Sequence, residues 1–120
     1  MASEGLHEAA ELLDEATIDR HRAFISLIEE LAAIDWYDQR VHATRDPALA
    51  SILAHNRDDE KEHAAMMLEW IRRQDPELDE QLRSYLFTSG PIISVEDDGN
   101  ESATSPMSGA VGIGSLRGES

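Results

Sequence analysis

The chain has 120 residues, the size of a single domain. Its 25 acidic residues against 10 basic ones give a net charge of −15, which argues against a nucleic-acid or anionic-membrane partner and fits cation binding. With no cysteine, disulfides, zinc–thiolate sites, iron–sulfur clusters and thiol nucleophiles are excluded.

Residues 7–44 are rich in Ala, Leu, Glu, Ile and Arg and contain neither Gly nor Pro. Their propensity predicts one long helix over that span. The start of the chain, Met1 to Glu8, lacks the basic and apolar stretches of a signal peptide. No apolar run approaches the about 18 residues of a membrane span, so a cytoplasmic location is expected.

Asp46-Pro47 interrupts the first helix and restarts a second, with Asp46 as N-cap and Pro47 at the first helical position. This helix is expected to run to about Arg73, with Arg72 and Arg73 at its negative end. Asp75-Pro76 opens a short third helix to about Phe87, closed by Gly90-Pro91. No strand and no internal repeat is expected.

All six aromatic residues lie between Phe24 and Phe87. From Ser94 onward come six serines and five of the seven glycines, opened by Glu96, Asp97, Asp98 and Glu101. Such a stretch buries too little apolar surface to offset its ordering entropy. The division expected is a helical domain over 1–93, a flexible linker over 94–108 and a terminal peptide over 109–120.

The fold class expected is all-α. Two long helices with a tight connection form an antiparallel hairpin, followed by a short C-terminal helix and a disordered tail. A hairpin leaves one apolar side uncovered. Dimerisation into a four-helix bundle would bury it.

The second helix carries a stripe at alternating steps of four and three: Leu49, Leu53, Asn56, Glu60, His63, Met67, Trp70. Its ends are apolar, and its middle holds Glu60-x-x-His63. Residues three apart on a helix face the same way. A charge buried in such a seam needs a partner, and a metal ion is one candidate. A Glu-x-x-His pair on an acidic helix can also simply face solvent.

The first helix offers a matching stripe in Ala23, Ser26, Glu30, Ala33 and Tyr37. Small residues around a carboxylate leave room for an ion or for close helix approach. Glu30 lies about fifteen residues before the connection and Glu60 about fifteen after it, so antiparallel packing brings them to a common height. One chain then offers two carboxylates and one imidazole, half of the set used by di-iron carboxylate centres in ferritin-like bundles. Oxygen and nitrogen donors without thiolate suit iron or manganese, with zinc as a competitor.

Three stretches resemble the encapsulated ferritins. They are Glu29 to Arg40 (Glu-Glu-Leu-Ala-Ala-Ile-Asp-Trp-Tyr-Asp-Gln-Arg), His55 to Arg73 around Glu60-Lys61-Glu62-His63, and Tyr85-Leu86-Phe87-Thr88. The tail Val111-Gly112-Ile113-Gly114-Ser115-Leu116-Arg117-Gly118 is similar to the peptide that directs cargo into encapsulin shells.

The resemblance implies a ferroxidase that oxidises Fe(II) with dioxygen at a di-iron site shared by two subunits, two irons per subunit pair. It implies a ring-shaped decamer of five dimers, with iron mineral stored inside an encapsulin nanocompartment in the cytoplasm. The matching metal ligands are Glu30, Glu60 and His63, with Tyr37 beside them in the catalytic site. The family's acidic metal-access site pairs Glu29 with a second Glu. This chain has Ala32 there, which weakens that site.

His55, Asp59 and Glu62 match an outer metal site, and equally suit a solvated polar face. Mn, Zn or Ca are the alternative ions for accessory sites. Val111, Ile113 and Leu116 are the docking side chains of the tail. Trp36 is a candidate wall of the access path or an interface anchor. His7, His21 and His42 fit no ligand pattern. Two other functions compete: a non-catalytic helical cargo adaptor, in which Glu60 and His63 set register, and a di-metal oxidase acting on an organic substrate.

Overall fold

The computed structural model describes residues 5–94. The described residues are helical with short connections, in agreement with the all-α expectation. The linker and terminal peptide expected beyond Ser94 lie outside the described residues.

A 3-10 turn at Ala10–Leu12 precedes helix α1, Glu15–Ala43. The helix expected from residue 7 therefore starts eight residues later. The cause is local. Asp14 takes an extended conformation, and its carboxylate accepts a hydrogen bond from the Thr17 backbone N–H at 2.8 Å. The Thr17 hydrogen bonds hold the Asp14 carboxyl below its usual range.

The segment before the cap folds back along α1. A Cβ at Gly5 would come within 2.7 Å of His21 Cε1 and 3.3 Å of Ile25 Cδ1. In one continuous helix residues 5 and 21 would stand about 24 Å apart. Glycine at position 5 permits this close approach.

Helix α1 ends at Thr44, whose N–H bonds the Arg40 carbonyl at 3.1 Å. Helix α2 spans Pro47–Gln74, as the sequence predicted to within a residue. Asp46 is its cap: its carboxylate accepts from the Ala48 and Leu49 N–H groups at 2.9 and 3.3 Å. Pro47 has no N–H to leave unsatisfied at the first helical position.

The two helices pack against each other as the predicted hairpin. Its fully buried apolar residues are few: Ala23 on α1, and Ala64 and Ile71 on α2. Phe24, Ile28, Leu31 and Trp36 on α1 remain exposed, as do Leu49, Ile52, Met66 and Trp70 on α2. The hairpin thus leaves apolar surface uncovered, as two helices must.

The region from Asp75 onward forms a separate unit. Its helix α3, Pro76–Tyr85, is capped by Asp75, whose carboxylate accepts from the Glu77 and Leu78 N–H groups at 3.1 Å each. The helix stops two residues before the expected Phe87. Leu86 leaves helical geometry and Phe87 takes a left-handed φ of 64°, uncommon for a bulky residue.

Candidate metal centre

Glu60 and His63 point along the same face of α2, as their three-residue spacing requires. His63 Nδ1 lies 3.5 Å from Glu60 Oε1. The Glu60 side chain is 26% exposed and that of His63 48%. Both are accessible to an added ligand.

Glu30 has a different environment. Its Oε1 is buried and finds no hydrogen-bond partner among the described residues. Along its stripe Ala23 is buried, and Ser26, Ala33 and Tyr37 are half-buried. Glu30 as a whole is half-buried. A buried carboxylate oxygen without a donor is costly, and a bound cation is one partner that would remove the cost.

Within one chain these groups do not close into a metal site. Among the described residues no three His, Cys, Asp or Glu side chains form a group that could hold an ion. The same holds for the outer trio. His55 Nε2 lies 3.3 Å from Asp59 Oδ2, both well exposed, whereas Glu62 lines a shallow hollow on α2 with Ala65, Met66, Glu69, Trp70 and Arg73. Glu29 is exposed and Ala32 half-buried. The tail residues Val111, Ile113 and Leu116 lie outside the described residues.

Two features were not anticipated. Arg57 on α2 reaches across to Asp38 on α1 at 2.8 Å and also bonds Asp58 at 3.2 Å. The guanidinium of Arg40 lies over the Tyr37 ring, 5.3 Å from its centroid. The second was legible in principle from the i, i+3 spacing of Tyr37 and Arg40. The first joins residues nineteen apart and needs the hairpin register.

The donor set fits a hard or borderline divalent ion. It offers carboxylate oxygen and imidazole nitrogen, and no thiolate exists in the chain. The cations of α2 are engaged with other carboxylates: Arg57 with Asp38 and Asp58, Lys61 with Asp58, Arg72 and Arg73 with Glu69.

The chain is 54% identical to an encapsulated ferritin-like protein of Rhodospirillum rubrum, over 98% of this chain and 91% of that protein. It is 51% identical to a ferritin-like protein of Thermotoga maritima, over 77% of this chain and 81% of that one. It is 39% identical to an encapsulin nanocompartment cargo protein of Myxococcus xanthus, over 66% and 65% of the two chains. A crystal structure of a Nitrosomonas europaea protein superposes with a TM-score of 0.72 at 60% identity, covering 73% of this chain and 97% of that one. Residues 5–89 match the family described as EncFtn-like, and the chain belongs to that family.

Proposed function

We propose that two copies of this chain form a ferroxidase. Fe(II) is the substrate, dioxygen the electron acceptor and Fe(III) the product. The carrying observation is the buried, unpartnered Oε1 of Glu30 on a stripe of small residues. Glu30, Glu60 and His63 from each of two copies supply four carboxylates and two imidazoles, the complement of a di-iron carboxylate centre.

Each residue has a defined part. Glu30 contributes a carboxylate whose buried Oε1 a bound cation would satisfy. Glu60 and His63 hold iron from one face of α2. Carboxylate donors favour the ferric over the ferrous ion. Tyr37 lies two turns from Glu30 on the same stripe and is half-buried beside the proposed site. The surrounding negative charge draws cations toward it.

Association of two hairpins also covers the exposed apolar residues of α1 and α2. A ring of five such dimers is the expected assembly. The names of the Rhodospirillum and Myxococcus relatives support residence inside an encapsulin nanocompartment, reached through the tail around Val111, Ile113 and Leu116, with iron mineral stored in the shell.

The test is oxygen consumption by the metal-free protein on adding ferrous iron, with the oligomeric mass recorded alongside. Wild type should oxidise iron as the dimer or a larger assembly. Glu60→Ala and His63→Ala should lose the activity while keeping helix content. Full activity in Glu60→Ala would remove the proposal.

A further inference from the structure

Arg40, among the described residues, is placed over an aromatic ring. There are 25 acidic residues to 10 basic, and Arg22, Arg57, Lys61, Arg72 and Arg73 each pair with a carboxylate. Arg40 instead lies on the ring of Tyr37, with its guanidinium carbon 5.3 Å from the centroid. The nearby carboxylates are otherwise engaged. Asp38 accepts from Arg57 and Asp35 from Gln39. A guanidinium over an aromatic face is attracted by the ring quadrupole.

We propose that Arg40 is a positioning residue for Tyr37: laid on the ring, it fixes the ring's orientation and places a positive charge that makes the phenol harder to oxidise. This rests on the ferroxidase reading. Tyr37 stands seven residues from Glu30 on the same stripe, about 10.5 Å along the helix, and is half-buried. A phenol so close to a site that passes electrons to dioxygen is itself a source of electrons. One-electron oxidation would take an electron from the ring to the oxidant and release the phenolic proton to solvent. Positive charge builds on the ring as the electron leaves, and the guanidinium opposes it. Each such loss would damage the site without oxidising iron.

The effect can be read in metal-free protein. The probe is tris(bipyridine)ruthenium(III), a one-electron oxidant that is reduced to ruthenium(II). High salt screens bulk attraction between the oxidant and the acidic protein. Peptide mapping reports modification at Tyr37 and, as an internal control, at Tyr85. Arg40→Gln should speed oxidation at Tyr37 about two- to fivefold and leave Tyr85 unchanged. Arg40→Lys, which keeps the charge, should restore the slow rate. In wild type the Arg40 Cδ protons should show an upfield ring-current shift.

Equal Tyr37 rates in wild type and Arg40→Gln would overturn the proposal, as would Arg40→Lys reacting as fast as Arg40→Gln. The assay contains no iron, so loss of the ferroxidase reading and loss of this one are separable. If the Glu60→Ala test fails, the Tyr37 rates still report on Arg40.

Discussion

Arg57 of α2 donates to Asp38 of α1 at 2.8 Å and ties the two arms of the hairpin together between their connection and the level of Glu30 and Glu60. Asp38 and Asp58 hold the Arg57 guanidinium firmly in its charged form, Asp38 contributing most. The Arg57 side chain is only 22% exposed while Asp38 is 51% exposed. The arginine side chain is thus mostly covered while its head reaches the acid.

Replacing Arg57 with Ala should lower the thermal midpoint of the metal-free protein, through lost packing as well as lost charge. Asp38→Asn should do so less, because the stem of Arg57 remains. The Asp38→Asn loss should shrink in high salt, since an accessible pair is screened. Calorimetry at low and high ionic strength checks this. A salt-independent Asp38→Asn loss would show that the pair acts other than electrostatically.

Glu30→Gln tests the buried oxygen directly. In metal-free protein the substitution replaces a carboxylate whose Oε1 is buried without a hydrogen-bond partner. The thermal midpoint should therefore rise, by an amount on the order of 1 kcal/mol in stability. Added ferrous iron under anaerobic conditions should stabilise wild type by mass action and leave Glu30→Gln unmoved. A metal-free variant less stable than wild type would mean that Glu30 already has a partner in the folded chain.

Glu69 gives the pH dependence. Arg72 bonds it at 2.7 and 2.8 Å and Arg73 at 2.7 Å. These bonds, Arg72 first, hold its carboxyl at about 2 against an ordinary 4.5. A depressed carboxylate contributes stability above its unfolded value and loses it as pH falls toward the folded one. Wild type should thus exceed Glu69→Gln in thermal midpoint at pH 7, and the gap should close between about pH 4.5 and 2. The cluster is exposed, so the gap should be small. A gap unchanged across that range would show that the Arg72 and Arg73 contacts do not stabilise the fold.

The chain's punctuation made much of the fold legible. Asp46-Pro47 and Asp75-Pro76 combine a capping carboxylate with a residue that needs no donor, and both boundaries fall where those pairs stand. The start of α1 was harder to read. Asp14 offers the same capping chemistry without a proline, and the residues before it have helix-favouring composition, so propensity alone carries the helix too far. Only the contact of Gly5 with His21 and Ile25 shows that the chain turns back there.

At the site, the spacing of Glu60 and His63 revealed a shared face because helical geometry is local. That Glu30 keeps a buried oxygen without a partner depends on three-dimensional packing, which no spacing within one helix reports. The proposed completion of the centre by a second copy is legible only as a deficit. The donors of one chain are too few, and its apolar faces too open.

The tail supplies the remaining test, on residues outside those described. Val111, Ile113 and Leu116 are the large apolar side chains after Met107, set among glycines and serines. Three apolar side chains so spaced can dock on a partner surface. Glycines at 112 and 114 would let the tail's backbone approach closely. Deleting residues 109–120 should leave helix content, oligomeric mass and iron oxidation nearly unchanged, because the proposed ligands end at His63. The same deletion should abolish loading into a co-expressed encapsulin shell. Ile113→Asp combined with Leu116→Asp should reproduce the loss, since each buried side chain contributes about 1.5–3 kcal/mol to docking. Shells carrying the truncated protein at wild-type levels would place the targeting signal in the helical domain, and the exposed apolar residues of α1 and α2 would then be the surface to mutate next.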